Sequence, residues 1–252
     1  MPPVLQKNAV AVKIKTMNDN NRYEWLFFDA DGTLFDYDLA EDRALESTFQ
    51  DLRLPFVDGS RETYRQINRQ VWIDFENRKI TADVLRTRRF ELLFEALHIH
   101  ADPLAFSAQY LIRLAQQAQL MTGAEAVVRA LAGSFRLALI TNGLSDVQRP
   151  RLALSPIGAY FSEVAISEEI GVAKPAPAYF EAVFDRIAAR FPRPAKNRVL
   201  VIGDSLSSDI QGGVSFGLPT CWFNPTGQPL PNGLRPTYEI RRLEEVLALV
   251  FE

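Results

Sequence analysis

Short apolar runs alternate with longer stretches of helical periodicity along most of this chain, and this alternation constrains the fold more than any other feature. The runs are Trp25–Phe28, Arg136–Ile140, Val164–Ile166, Val199–Ile202 and Thr220–Phe223. Continuous apolar runs are typical of parallel strands that are buried on both faces. Because helical patterns separate the runs, the sequence predicts an α/β fold with a doubly wound, Rossmann-like parallel sheet.

The spacing of the runs predicts an insertion. About 100 residues separate the first two runs, although the crossover between parallel strands needs only about a dozen. Residues 40–118 show helical periodicity, so we expect an all-helical unit docked over one end of the sheet. The predicted division is a flexible extension at 1–22, an α/β core formed by 23–36 and 119–252, and a helical unit at 37–118.

Charge and composition exclude several classes of function. The 28 Lys and Arg residues against 31 Asp and Glu give a net charge of −3 without a basic run, so we expect neither a nucleic-acid polymer nor an anionic membrane as partner. No apolar run approaches the roughly 18 residues of a membrane span, and residues 1–22 lack the apolar core of a secretory signal. The single cysteine, Cys221, excludes an internal disulfide and favours a cytoplasmic location.

Two aspartates follow the first apolar run directly. Asp29 and Asp31 stand two positions apart before a turn at Gly32, so both carboxylates can point to one place above the sheet edge. Two charges about 4 Å apart at an effective dielectric constant near 20 repel by roughly 4 kcal/mol, so the pair needs a cation, a proton or separation. A plain Asp-Gly turn is the alternative for this cluster alone. A calcium loop fits poorly, because Leu34 and Ala40 stand where it needs Gly and Glu.

Three further polar clusters follow other predicted strands. Thr141 and Asn142 precede a helix start, where a hydroxyl and free backbone N–H groups can bind an anion, although an Asn-Gly turn explains that cluster alone. Lys174 precedes another helix, and a lone lysine is usually solvated. Asp204 and Asp209 flank a serine-rich turn, where Asp209 could serve only as a helix N-terminal charge.

Together the four clusters predict a chemistry that none predicts alone. The carboxyl ends of parallel strands meet at one sheet edge, where open α/β folds bind ligands. An acceptor nucleophile, anion donors, a countercharge and metal ligands are what Mg²⁺-assisted phosphoryl transfer requires. Four aspartates and a phosphate of about −2 charge face a single lysine, so a site without a divalent cation would repel its own substrate.

With these motifs the chain resembles the haloacid dehalogenase (HAD) superfamily. The resemblance rests on DADGT from Asp29, ITNG from Ile140, the pair Lys174-Pro175 and GDSLSSD from Gly203, and it spans about residues 23–250. The helical unit after the first motif is similar to the α-helical cap of some members. The resemblance implies an HAD-like core with an inserted cap, phosphate ester hydrolysis, and Mg²⁺ as cofactor.

The resemblance also implies a role for each motif residue. Asp29 would be the nucleophile that becomes an aspartyl phosphate, and Asp31 the acid for the leaving alkoxide and then the base for water. Thr141 and the Asn142 backbone would hold phosphate oxygens, while Lys174 would neutralise the transferring group. The metal ligands would be Asp29, the backbone carbonyl of Asp31, Asp204 and Asp209.

The substrate class follows from two finer features. Asp31 favours phosphate esters over haloacids, because an alkoxide leaving group needs a proton and a halide does not. Segments 68–76, 79–81, 88–91 and 166–175 resemble the pyrimidine 5′-nucleotidases of the superfamily. This resemblance implies a nucleoside 5′-monophosphate as the small-molecule partner of a monomer or homodimer. A sugar-phosphate or phosphoglycolate phosphatase, a phosphomutase and, in another class, a phospho-receiver signalling domain are the alternatives.

Aromatic and basic side chains of the helical unit have a structural interpretation. Trp72, Phe75 and Phe90 are expected to pack in a helical core rather than stack on a base. Three arginines of the helical unit are expected on a solvated helix face: Arg86, Arg88 and Arg89. No residue of the helical unit is therefore placed in the predicted site.

Overall fold

Within residues 21–251, which the computed structural model describes, six strands form one open parallel sheet. The strands are β1 (Trp25–Asp29), β2 (Arg136–Thr141), β3 (Phe161–Ile166), β4 (Val199–Gly203), β5 (Thr220–Phe223) and β6 (Tyr238–Ile240). Their order across the sheet is β3-β2-β1-β4-β5-β6, and each neighbouring pair is parallel. The predicted α/β fold is confirmed, while residues 1–20 of the expected extension lie outside the described part of the chain.

Four helices occupy residues 37–115, between β1 and β2. They are α1 (Tyr37–Asp51), α2 (Ser60–Glu76), α3 (Ala82–Leu97) and α4 (Pro103–Ala115), and we call them the helical segment. Local capping sets three of their starts, because the side chains of Asp36, Thr81 and Asp102 accept hydrogen bonds from first-turn backbone N–H groups. The segment has its own cluster of buried apolar side chains, which Leu144 and Val147 of the core join.

The remaining helices surround the sheet. They are α5 (Ala124–Leu131), α6 (Ser145–Leu154), α7 (Ser167–Ile170), α8 (Pro177–Ala188), α9 (Gln211–Phe216) and α10 (Glu245–Phe251), with a π-helical turn at Leu206–Ile210. None of the helices in the described range is both long and apolar enough to cross a membrane.

Strand β1 shows why the sheet needs cover on both faces. All five of its residues are buried. Leu26 and Phe28 point into a cluster that includes side chains of α5 and α10, whereas Trp25 and Phe27 point into a second cluster with α8 and α9. The alternation follows the pleat of a strand, in which successive side chains face opposite sides. The two helical layers therefore fix the sheet, and with it the position of the strand ends.

A charged network lies inside the helical segment. The expectation of a solvated face is wrong for Arg89, which is 1% exposed. Its guanidinium donates to Asn68 Oδ1 at 3.2 Å and lies 5.0 and 5.1 Å from the ring centres of Phe90 and Tyr110, where cation–π attraction offsets part of its desolvation. Asn68 Nδ2 donates to Glu41 Oε1 at 2.7 Å. Burial raises the pKa of the Glu41 carboxyl to about 7, against the opposing effects of Asn68 and Arg89.

The raised pKa of Glu41 predicts a pH-dependent stability. The folded protein binds the proton of this carboxyl up to about pH 7, whereas the unfolded chain releases it near 4.5. Stability therefore falls as the pH rises through this window, by about 3 kcal/mol in total. We expect Glu41→Gln to remove this dependence. The free energies of unfolding measured in urea at pH 5 and pH 8 should then differ less than in the unsubstituted protein.

The matched control is Glu46→Gln on the same helix, because Glu46 is exposed and pairs with Arg61. This variant should keep the pH dependence of the unsubstituted protein. Equal pH slopes for the two variants would show that Glu41 is ionised in the folded protein at both pH values.

Candidate active site

The seven residues predicted for the site line one cavity at the carboxyl ends of the central strands. The cavity has a volume of about 180 Å³. Strands β2, β1 and β4 are neighbours, so the loops that follow them converge on the same edge of the sheet. The structure thus brings together all of the predicted residues: Asp29, Asp31, Thr141, Asn142, Lys174, Asp204 and Asp209.

A buried ammonium group lies in the wall of this cavity. Lys174 is 1% exposed, and its Nζ donates to Asp29 Oδ1 and to Asp209 Oδ1, both at 2.6 Å, and to the Ile140 carbonyl at 3.0 Å. Burial alone would lower the pKa of Lys174, but the charges of Asp209 and Asp29 outweigh it and hold the pKa above its ordinary value. The side chain is therefore a fixed positive charge between two carboxylates from different loops.

Three carboxylates surround that charge. Asp29, Asp204 and Asp209 each place an oxygen within 4.8 Å of the others. Burial, followed by the charge of Asp209, raises the pKa of Asp29 well above its usual range and that of Asp204 to about 7. When all three are ionised, the single ammonium of Lys174 leaves two negative charges uncompensated. This oxygen-only donor set fits a hard divalent cation such as Mg²⁺, both in ligand type and in charge.

Neighbouring residues hold the carboxylates in place. Thr33 Oγ1 donates to Asp204 Oδ1 at 3.1 Å and accepts from the Asp204 backbone N–H at 3.0 Å. The Ser205 N–H donates to Asp209 Oδ2 at 3.1 Å. Gly203 leaves room for this arrangement, because a Cβ atom there would lie 2.2 Å from Asp209 Oδ2.

The turn at Gly32 brings the loop after β1 against the loop after β4. Gly32 has a φ of +84°, in the left-handed region that favours glycine, and a Cβ there would lie 2.6 Å from Asp204 Oδ2. Both reasons require glycine in the turn after the paired aspartates. The close approach of these two loops follows from the neighbouring positions of β1 and β4.

Asp31 belongs to a different set of contacts from the other aspartates. Its carboxylate accepts hydrogen bonds from Arg151 Nη1 and Gln148 Nε2, which lie on α6. Arg151 is fully buried, and its guanidinium lies 4.9 Å from the centre of the Phe35 ring. Gln148 and Arg151 are missing from the predicted site, because their i, i+3 spacing is common to all helices and only the docking of α6 places both at Asp31.

Thr141 and Asn142 organise the loop after β2. Thr141 Oγ1 accepts from the Gly143 N–H at 3.1 Å. The Asn142 side chain holds the backbone of Lys174, since Nδ2 donates to its carbonyl at 2.9 Å and Oδ1 accepts from its N–H at 2.8 Å. Asn142 Nδ2 also donates to Glu76 Oε1 at 3.0 Å, and burial raises the pKa of Glu76.

The helical segment contributes residues that the sequence analysis left out of the site. Tyr37, Trp72 and Glu76 line the cavity. Phe90 packs in the interior of the segment, as expected, and is fully buried. No pattern in the sequence distinguishes Trp72 or Glu76 from other amphipathic helix residues, because only the docking of α2 over the sheet edge places them there.

Two arginines of α3 behave differently at the surface of the segment. Arg86 reaches the core, where it donates to Asp146 at 2.8 Å and to Glu168 at 2.7 Å. Arg88 is exposed and pairs with Glu91 on its own helix, as expected of a solvated face. Arg86 thus links the helical segment to α6 and α7.

The comparisons with known proteins fit this geometry. Residues 23–217 match the family model described as haloacid dehalogenase-like hydrolase. The chain is 38% identical to the HAD-hydrolase YfnB of Bacillus subtilis, covering 89% of this chain and 94% of that protein. A crystal structure of YfnB bound to magnesium has a TM-score of 0.84 and 37% identity, covering 90% of this chain and 98% of that one.

The descriptions of two further relatives name a substrate class. The chain is 34% identical to the pyrimidine 5′-nucleotidase YjjG of Escherichia coli, covering 91% of this chain and 98% of that protein. It is also 34% identical to the pyrimidine 5′-nucleotidase PynA of Streptococcus pneumoniae, covering 89% and 94%.

A methyl group at position 203 should disturb the carboxylate cluster. In Gly203→Ala the Cβ atom would meet Asp209 at 2.2 Å, so the carboxylate must shift. We expect the affinity for Mg²⁺ to fall at least about tenfold, as measured by the Mg²⁺ dependence of the thermal unfolding temperature. Gly133→Ala is the control, because a Cβ there meets no atom within 4 Å. Unchanged Mg²⁺ dependence in Gly203→Ala would contradict the assignment of Asp209 to a cation site.

Proposed function

This chain belongs to the haloacid dehalogenase-like hydrolase family, and we propose that it is a Mg²⁺-dependent phosphatase that hydrolyses pyrimidine nucleoside 5′-monophosphates. The observation that carries the proposal is the Lys174 ammonium, held 2.6 Å from both Asp29 and Asp209 inside the cavity of the predicted residues. Such a charge can neutralise a phosphate that approaches Asp29. Family membership makes the protein a hydrolase rather than a phospho-receiver domain.

Asp29 would act as the nucleophile. One of its carboxylate oxygens forms a bond to phosphorus, the bond from phosphorus to the ester oxygen breaks, and an aspartyl phosphate and an alcohol result. Lys174 Nζ lies against Asp29, so its charge also falls on the transferring phosphoryl group. Thr141 and the Asn142 backbone, in the same cavity, would donate hydrogen bonds to the phosphoryl oxygens.

Asp31 would move the protons of both half-reactions. It gives its proton to the departing alkoxide in the first, and in the second it takes a proton from the water whose oxygen attacks phosphorus. The bond from phosphorus to Asp29 then breaks, and inorganic phosphate leaves. Arg151 and Gln148 would hold the Asp31 carboxylate in position, because both donate hydrogen bonds to it.

Mg²⁺ would be held by Asp29, Asp204, Asp209 and the backbone carbonyl of Asp31. When bound, it supplies positive charge that neutralises the carboxylates and the phosphate. The fit rests on the three carboxylates within 4.8 Å of one another and on their uncompensated charge.

The pyrimidine nucleotide is supported by the relatives YjjG and PynA, which match nearly the whole chain and are pyrimidine 5′-nucleotidases. We assign residues 37–118 to a cap over the cavity, since Tyr37, Trp72 and Glu76 line it. The partner is then a small phosphate ester rather than a nucleic-acid polymer, and the buried free thiol of Cys221 supports a cytoplasmic location.

Removal of the nucleophile tests the mechanism. Asp29→Asn keeps the size of the side chain but removes the attacking carboxylate oxygen, so we expect phosphate release to fall by at least about a thousandfold. EDTA should stop the unsubstituted enzyme, and excess Mg²⁺ should restore it. Asp185→Asn, an exposed position paired with Arg193, is the control and should keep full activity. Turnover that survives in purified Asp29→Asn would refute the mechanism.

A substrate panel tests the substrate class. We expect kcat/KM for uridine and cytidine 5′-monophosphates to exceed that for ribose 5-phosphate and phosphoglycolate by at least about tenfold, measured as phosphate release with Mg²⁺. Equal or faster hydrolysis of the sugar phosphate or phosphoglycolate would favour the alternative phosphatases. Isomerised sugar phosphate without release of phosphate would indicate a phosphomutase.

The role of Arg151 predicts a dependence on the leaving group. We expect Arg151→Met to lower kcat/KM for a nucleoside monophosphate about 10- to 100-fold, and less for p-nitrophenyl phosphate, because nitrophenolate leaves without a proton. Asp31→Asn should show the same selectivity. Arg149→Met on the same helix, where Arg149 is exposed and pairs with Glu169, is the control. An equal loss on both substrates would mean that Arg151 does not act through Asp31.

A further inference from the structure

A second cavity adjoins the one that holds the catalytic carboxylates. It has a volume of about 580 Å³ and lies between residues 75–82 of the helical segment and residues 167–173 of the core. We call it the side groove. The residues that line it are partly apolar, as at Phe75, Ile80 and Val172, and partly polar or charged, as at Thr81, Arg78 and Lys79. This volume and mixture of surfaces are typical of small-molecule sites.

Glu76 connects the side groove with the catalytic cavity, because it lines both. Its Oε1 accepts from Asn142 Nδ2 at 3.0 Å, whereas Oε2 accepts no hydrogen bond from the described residues. On the core side, Ser167 Oγ donates to the Asn142 carbonyl at 2.9 Å, so the groove wall is tied to the loop after β2. Glu76 therefore stands at the junction of the two cavities, and a molecule with its phosphate near Asp29 would pass this side chain to reach the groove.

Another cavity among the described residues adjoins Asp31, but it is too small for this purpose. It is lined by Tyr37, Trp72 and Arg89 among others, and has a volume of about 20 Å³. That space holds about one water molecule. A sugar and a base attached to the phosphate cannot enter it, so of these two neighbouring cavities the side groove is the one with room for them.

We propose that the side groove binds the sugar and pyrimidine base of the substrate, and that Glu76 Oε2 accepts a hydrogen bond from a sugar hydroxyl. The proposal rests on the proposed phosphatase function. Phe75, Ile80 and Val172 offer apolar surface to the faces of the base, and the carboxylate at the junction lies between phosphate and base, where the ribose must pass. A carboxyl oxygen that accepts no other hydrogen bond can accept one from a hydroxyl.

Filling the groove tests the location. We expect Val172→Trp to lower kcat/KM for uridine 5′-monophosphate at least about tenfold more than for p-nitrophenyl phosphate, which has neither sugar nor pyrimidine. Ile112→Trp is the matched control, because Ile112 lines a different surface cavity on α4. Ile112→Trp should leave kcat/KM unchanged for both substrates. An equal loss of kcat/KM on both substrates in Val172→Trp, or no loss on either, would overturn the proposal.

Substitution of the junction residue tests the hydroxyl contact. Glu76→Gln keeps an oxygen for Asn142 but replaces the second acceptor with an amide. We expect the preference for uridine 5′-monophosphate over its 2′,3′-dideoxy analogue to fall about 10- to 100-fold. An unchanged preference would overturn this role of Glu76.

The outcomes separate this proposal from the proposed function. If the unsubstituted protein releases no phosphate from any monoester with Mg²⁺, the phosphatase assignment fails. If it hydrolyses uridine 5′-monophosphate and Val172→Trp behaves like Ile112→Trp, the phosphatase assignment stands and only the side groove fails.

Discussion

The contact of Lys174 with Asp29 and Asp209 is the interaction on which the site depends. A lysine this deeply buried carries a large desolvation penalty, which only close opposite charges can offset. Both carboxylates come from other loops, so the ammonium draws together the ends of β1 and β4 and the segment before α8. Removal of Lys174 would leave both carboxylates without their countercharge, whereas removal of one carboxylate would leave Lys174 paired with the other. The same arrangement leaves negative charge in excess when the carboxylates are ionised, which fits the proposed cation.

The fold supplies this arrangement through strand order and close backbone approach. Because β1 lies between β2 and β4, three motifs far apart in the sequence end at adjacent points of one sheet edge. Glycine at positions 32 and 203 allows the carboxylates of Asp204 and Asp209 to lie against the backbone. The helical segment then closes part of the cavity from above, through Tyr37, Trp72 and Glu76.

The sequence predicted the sheet and the gathering of the motif residues because both follow from local patterns. Buried strands appear in the sequence as apolar runs. Because the strands are parallel, the polar residues that follow them lie at the same edge of the sheet. Arg151, Glu76 and Arg89 were not predictable in the same way. Each is an ordinary charged helix residue, and its role depends on which face of its helix packs against which neighbouring element. The burial of Arg89 in particular follows from packing among α1, α2 and α4, which no local pattern encodes.

The proposed mechanism depends on Asp29 as the residue that receives the phosphoryl group. The most direct measurement is rapid acid quench during turnover of a nucleoside monophosphate labelled in its phosphate, followed by peptide mapping. If Asp29 is the nucleophile, we expect transient label on the peptide that contains Asp29, and loss of that label in Asp29→Asn. Turnover with no label on the protein, or with label on a peptide that lacks Asp29, would contradict it.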